Sequence, residues 1–330
     1  MDNIQTEIAI TIDTEADNLK AARTCNEFTC ENIKALNRFH NLCTFHGFIP
    51  TYLVSYEVLK CKESVKILKN IIKKGHCEIG SHLHTWTTPP FTKEDIKKKL
   101  TPADLSKDCF QDKLINLSNK IETMLEISPK TFRAGRWGFS NMNAIVLEDL
   151  GYLVDCSITP YVSWKENIGL KCSYDYRQYL PTPFFIKNTK KQKILEIPVT
   201  IFLLKEYLLN NRVINHIYYN FSQTSMLNKI LRNIGLKPSW LRPFADNDLH
   251  RFKAIYLLSI KKGLDLIQMM FHSYELIQSQ YSPYKNIHEL YDLFEKYFVY
   301  LNNINVKGIT MKDYYLKEIQ RGRFIKNAVQ

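Results

Sequence analysis

Two histidines one residue apart, His82 and His84, close the segment EIGSHLH. Two acids share that spacing, Asp13 and Glu15 at the end of EIAITIDTE. In an extended chain, residues i and i+2 point to the same side, so each pair can act at one point. Imidazole and carboxylate both bind zinc, and a catalytic zinc takes about three protein ligands and keeps a position for water. Two neighbouring carboxylates repel unless a cation or a proton stands between them. The alternative for Glu15 is an acid opening the next helix. The alternative for His84 is a loop position, since a helix starting at His82 turns the two rings about two hundred degrees apart. Further candidates are Arg133 and Arg136 in TFRAGRW, Asp155 in VDCS, and His272 and Glu275 in FHSYE.

These residues need a frame that brings strand ends together. Apolar β-rich segments are predicted at Glu7–Asp13, Phe48–Ser55, His76–His82, Thr131–Gly135, Tyr152–Ser157, Lys193–Thr200, Leu264–Ser273 and Val306–Thr310. Helical periodicity fills intervals such as Glu27–Gly47, Glu63–Gly75 and Asn141–Leu150. The alternation predicts an α/β fold, a distorted (β/α) barrel of about seven parallel strands, with a doubly wound open sheet as the alternative. No GxGxxG follows the first strand and no P-loop is present, so nucleotide signatures are missing. The 330 residues are read as one domain, with a helical insertion at about 202–262. In such folds sites form at the carboxyl ends of strands, where the candidates lie.

Composition is that of an ordinary globular protein, 45% hydrophobic and 24% charged. The eight cysteines form no CxxC pair and are expected to be free thiols. Acids crowd the first twenty residues, which excludes a secretory signal there. The apolar stretch Ile197–Leu204 is too short to span a bilayer. A cytoplasmic protein is therefore expected. The net charge of +12 suits an anionic partner, although the lysines fall in helical runs that read as solvated faces. The aromatic and basic tail Tyr314–Asn327 is a candidate for peripheral membrane contact. Nothing points to nucleic acid. His40, His46, His76, His216, His250 and His288 have no partners in the pattern and read as structural or surface residues.

The ordered series TIDTE, GSHLHTW, FRAGRWG, VDCSITP and FHSYEL, spanning Ile8 to Leu276, resembles the motifs of the polysaccharide deacetylases, the NodB-homology carbohydrate esterases. The resemblance implies a distorted barrel, a divalent metal, usually zinc, and removal of acetyl from an N-acetylated sugar. It implies Asp13 as catalytic base, Arg133 as the group holding that base, and His272 as the acid, with Asp155 in the region that orients His272. Glu15, His82 and His84 are the implied metal ligands. Thr14 and Trp86 stand where the common pattern has an aspartate and a histidine, so Glu15 and His84 are substitutes. Trp86 and Trp137 are candidates for stacking on a sugar ring or for packing at the rim. Arg136 and Glu275 are candidates for substrate contact, and Glu275 also for metal. The expected substrate is an intracellular glycan precursor, phosphate- or lipid-linked. Two alternatives stand beside this reading: an amide hydrolase acting on a non-sugar or cyclic amide, and an inactive sugar-binding relative.

Overall fold

Strands and helices alternate from the start. β1 (Glu7–Thr14), α1 (Leu36–Phe45), β2 (Pro50–Val54), α2 (Lys62–Lys74), β3 (Glu78–Leu83), α3 (Lys93–Lys98) and α4 (Lys107–Leu125) lead to β4 (Thr131–Ala134), α5 (Asn141–Asp149) and β5 (Val154–Asp155). Next come β6 (Phe184–Phe185), β7 (Leu195–Glu196), β8 (Ile201–Leu203), α6 (Arg212–Asn220), α7 (Met226–Asn233), β9 (Pro238–Trp240) and α8 (Leu249–Lys261). The chain continues through β10 (Leu266–His272), α9 (Ile287–Asn303), β11 (Lys307–Gly308) and α10 (Met311–Gln320). This computed structural model describes residues 6–19, 27–98, 100–165, 174–187, 193–244, 248–279, 282 and 284–322.

Among the described residues the main sheet has nine strands in the order β10-β1-β2-β3-β4-β5-β7-β6, with β11 also paired to β1. All its pairings are parallel except β6 with β7. The sheet curls into the distorted barrel expected from the sequence. Its edge strands, β6 and β10, form no ladder with each other, and the segments after β7 and β9 reach across to β10. Thr200 N–H donates to Gln268 O at 3.2 Å and Met270 N–H to Leu241 O at 3.3 Å. Gln268 N–H donates to Thr200 Oγ1 at 2.8 Å.

Side-chain alternation along β1 divides outside from inside. Ile8, Ile10 and Ile12 join the cluster of Phe39 on α1 and of Phe294 and Phe298 on α9. Ala9 belongs to a separate interior cluster with Leu53, Val154, Leu195 and Leu266. Higher in the barrel the interior becomes polar. Thr11 Oγ1 accepts from Arg133 Nη2 at 2.9 Å and from Gln268 Nε2 at 3.1 Å.

Helix α2 shows how the outer layer is written. Val65, Ile67, Leu68 and Ile71 are buried, at about 1.5–3 kcal/mol each, while Lys66, Lys69, Lys73 and Lys74 are exposed. The helix stops at Gly75, whose φ of 77° suits a residue without Cβ. This run of lysines is a solvated face.

The tail differs from expectation. Tyr314 and Tyr315 of α10 are buried in the interior cluster with Met311. Tyr314 OH donates to Asp265 Oδ1 at 2.8 Å and Lys317 Nζ lies 2.5 Å from Glu7 Oε2. Helix α10 thus closes the barrel at the amino ends of the strands, and its aromatics are not available to a membrane surface. Residues 323–327 of the expected contact lie outside the described residues. Among the described residues no helix is long and apolar enough to cross a membrane.

The strand expected at Lys193–Thr200 is shorter than expected. Only Leu195–Glu196 forms a ladder with β5, residues 197–200 keep single bonds to the β5 segment and to β10, and the β8 that follows pairs with β9 in a separate antiparallel ribbon. An apolar run cannot report which neighbour it will pair with.

Candidate metal centre

Register sets the first two relationships. Asp13 is the β1 partner of His272 on β10, and His82 on β3 is the partner of Arg133 on β4. Glu15 and His84 lie just past their strand ends. Both are nevertheless held. Glu15 N–H donates to Ser273 Oγ at 3.1 Å, and Glu15 O accepts from Asn32 Nδ2 at 2.8 Å. The loop after His84 is anchored by Lys113 of α4, fully buried beside Asp95 at 3.1 Å and bonded to the carbonyls of Thr85 and Thr88 at 3.0 and 2.9 Å. Gly135 leaves room for the His84 ring, since a Cβ there would stand 2.4 Å from His84 Nδ1.

Glu15, His82 and His84 converge. Glu15 Oε2 is 3.2 Å from His82 Nε2 and 2.8 Å from His84 Nε2. Among the described residues they form a group of three side chains whose ligand atoms all lie within 4.8 Å of one another. All three are buried. His82 Nδ1 lies 3.1 Å from Arg133 O. A carbonyl only accepts, so Nδ1 carries a hydrogen and Nε2 is the nitrogen that faces the acids, the ring orientation seen in metal-ligating imidazoles. His84 Nδ1 is buried without a hydrogen-bond partner. A carboxylate with two imidazoles is a zinc donor set, and it fits a divalent cation.

Asp13 stands beside this group. Its Oδ1 accepts from Arg133 Nη1 at 2.5 Å, and its Oδ2 is 3.9 Å from His82 Nε2. Burial opposes its charge, but Arg133, His82 and His272 outweigh that and hold the carboxyl below its ordinary value. Burial likewise opposes charge on Glu15, and hydrogen bonds from His82 and His84 carry it well below. Burial works against a charged His82 too, yet Asp13 and Glu15 raise it, while for His84 burial prevails and lowers it.

His272, partly exposed, faces the acids from the other side. Its Nε2 is 3.7 Å from Asp13 Oδ2 and 3.9 Å from Glu15 Oε1. Its Nδ1 is 2.8 Å from Glu275 Oε1 and 2.9 Å from Arg242 Nη2. A carboxylate accepts from a protonated Nδ1 and a guanidinium donates to a bare one, so both states have a partner. Arg242 and Glu275 also form an ion pair. Glu275 lies against His272 and Arg242 and is not among the three clustered ligands.

Asp155, associated with His272 by the motif order, is engaged elsewhere. It accepts from Ser157 Oγ at 2.7 Å and is the register partner of Glu196 on β7. Trp86 is buried against Ala16 and Leu19, with its ring 4.5 Å from that of His84. Trp137, also buried, stands over Arg133 at 5.5 Å and beside Trp164 at 6.3 Å and Trp240 at 5.8 Å. Arg136 is half-buried, and both it and Trp137 have positive φ, 56° and 63°. Such backbone costs about 1–3 kcal/mol each and clusters at functional sites. The other histidines keep apart, His46 pairing with Glu295 at 3.0 Å. The six cysteines described are unpaired thiols, and Cys25 and Cys172 lie outside the described residues.

Sequence reasoning missed Arg242, Asn32 and Ser273. Ser273 directly follows His272, a visible signal. Arg242 sits in KPSWLRP, inside the presumed helical insertion, where nothing local marks it.

No protein-family model and no curated protein sequence matches the chain. Solved structures do. A protein from Mycobacterium smegmatis assigned to the polysaccharide deacetylases superimposes with a TM-score of 0.61 at 11% identity, covering 100% of this chain and 96% of that one. The 4-alpha-glucanotransferase of Thermococcus litoralis gives 0.53 at 12% identity, covering 95% of this chain and 40% of that one. The allantoinase PuuE gives 0.52 at 12% identity, covering 97% and 92%. At such identities the likeness shows the fold alone, and one fold hosts several chemistries.

Proposed function

We propose that this chain, whose fold is that of a polysaccharide deacetylase structure, is a metal-dependent hydrolase that removes the N-acetyl group from an amino sugar. The observation that carries the reading is Glu15 Oε2 set between His82 Nε2 and His84 Nε2, with Asp13 and His272 facing the same point from either side. The reading assigns Glu15, His82 and His84 to a divalent cation, zinc by donor type. Bound there, the cation supplies Lewis acidity, bringing water towards a pKa of about 7 and polarising a carbonyl.

The protein groups then have separate tasks. Asp13, kept ionised by Arg133, takes the proton of the attacking water. His272 delivers a proton from Nε2 to the leaving amine, while Glu275 and Arg242 hold its ring through Nδ1. Thr11 and the carbonyl of Cys156, which accepts from Arg133 Nε at 2.9 Å, fix the guanidinium. Trp164 and Trp240, half-buried beside Trp137, offer ring faces to a sugar. Trp86, Arg136 and Glu275 are assigned to the substrate side of the mouth. The whole chain is proposed as one catalytic unit, with about 202–262 as its insertion.

The substrate is proposed to be a precursor of a surface glycan or cell wall handled in the cytoplasm. A panel tests this. Zinc-loaded protein is incubated with N-acetylglucosamine oligomers, a nucleotide-linked N-acetylhexosamine and allantoin, and new primary amine, acetate and allantoate are measured. Acetate with equimolar amine from a sugar supports the reading. Opening of allantoin with no sugar turned over overturns it in favour of a cyclic amide hydrolase.

A further inference from the structure

Helix α7 distributes its side chains the opposite way from α2. It buries Asn228 and Leu231 and exposes Met226, Leu227, Ile230 and, at its carboxyl end, Ile234, with Met226 at 79%. At 3.6 residues per turn these four apolar positions fall within about 100° of one another, a single stripe. The buried amide accounts for the inversion. Asn228 Nδ2 faces the carbonyls of Ile217, Phe221 and Ser222 at 3.3, 3.0 and 2.9 Å, which holds α7 to the end of α6 by a polar side chain. Phe221 is itself exposed. Lys205 Nζ donates to Ile234 O at 3.0 Å and brings the exposed Leu204 and Lys205 to the end of α7. Single exposed apolar residues are ordinary, but a contiguous apolar surface marks an interaction face.

The charge around this stripe has one sign. Lys229 flanks it on α7, Lys205 stands at its end and Arg212 opens α6, all of them exposed. From Tyr207 to Ala245 the sequence contains no aspartate or glutamate. Glu206, just before that stretch, is taken up by Tyr161 OH at 2.9 Å and by Lys262. A second copy is a poor occupant, because a two-fold contact sets the same patch against itself and these cations against each other. An anionic bilayer surface supplies what the face lacks, an apolar layer bordered by negative charge.

We propose that α7, with the adjoining end of α6, docks on an anionic lipid bilayer. Met226, Leu227, Ile230 and Ile234 enter the boundary between headgroups and acyl chains, and Lys229 and Lys205 lie among the phosphates, their aliphatic stems along the apolar layer. The proposal stands apart from the deacetylase reading, since it uses none of the residues assigned to metal, proton transfer or sugar.

Cosedimentation with lipid vesicles tests this without turnover. Vesicles of phosphatidylcholine alone, and of phosphatidylcholine with phosphatidylglycerol in equal parts, are mixed with the full chain. The wild type should bind the anionic vesicles at least about tenfold tighter than the neutral ones, with the preference weakening as salt rises from about 50 to 200 mM. Met226→Ser/Ile230→Ser and Lys205→Ala/Lys229→Ala alter exposed positions, and thermal unfolding checks that both fold. Each should lose at least about tenfold in affinity for the anionic vesicles. Lys66→Ala/Lys73→Ala on α2, a basic face whose apolar side is buried, should bind as the wild type does. Equal binding to both vesicle types, no binding to either, or an unaffected Met226→Ser/Ile230→Ser overturns the proposal. An equal loss in the α2 variant overturns it in favour of general charge attraction. A dimer in sedimentation velocity that Met226→Ser/Ile230→Ser dissolves overturns it in favour of a second copy.

Discussion

Arg133 donates to Asp13 across 2.5 Å inside the barrel, and neither residue is more than 1% exposed. The pair joins the middle of the barrel to its mouth. Thr11 and the carbonyl of Cys156 satisfy other donors of the same guanidinium.

Removing the cation strands the buried acid. Arg133→Met is expected to cost about 3–5 kcal/mol in denaturant unfolding. Asp13 has a depressed pKa in the fold, so its stabilising contribution is present above the ordinary carboxylate value and is lost as pH falls through the folded value. The variant should therefore lose part of the wild type's acid-side stability slope. Unfolding curves from pH 3 to 7 check this, and an unchanged slope contradicts it.

The second buried acid pair has the opposite sign. Asp155 and Glu196 are register partners on β5 and β7, both fully buried, and Glu196 Oε2 has no hydrogen-bond partner. Burial, and then Asp155, raise Glu196 well above its ordinary value. A carboxyl raised in the fold favours the native state below its unfolded value and loses that advantage as pH climbs towards the folded one. Glu196→Gln keeps an acceptor for Ile158 N–H, which Glu196 Oε1 accepts at 3.0 Å, and removes the ionisation. It should be more stable than wild type at pH 8, on the order of 1 kcal/mol, with the gap closing at pH 5. Thermal melts at both values decide the sign.

Gly135 tests the packing behind His84, the proposed ligand. A Cβ there would also meet Leu83 O at 2.7 Å. Gly135→Ala is expected to cost about 1–3 kcal/mol and to displace the His84 ring. Zinc added to wild type should raise the melting temperature by mass action, and the rise should be smaller in Gly135→Ala. An equal rise in both places the cation away from His84.

How much of this was legible depends on where each residue sits. Asp13, His82, Arg133 and His272 lie on strands whose apolar runs mark them, and parallel register does the rest. Glu15 and His84 were readable as i+2 partners, but their retention past the strand ends depends on Ser273, Asn32 and Lys113, contacts spanning long stretches of chain. Arg242 was invisible because the β8–β9 ribbon that delivers it is defined only by tertiary pairing. The two-residue strands β5 and β7 carry too little periodicity to be bounded. Tyr314 and Tyr315 read as surface aromatics because nothing local tells a plug from a tail.

Acetate release from an N-acetylglucosamine oligomer, with and without one equivalent of zinc, tests the central claim most directly. Wild type should release acetate only when loaded, with a chelator abolishing it. Asp13→Asn should bind zinc and lose at least about a hundredfold in rate, as expected on loss of a general base. Turnover that persists in chelated protein, or that survives Asp13→Asn at the wild-type rate, would contradict the account.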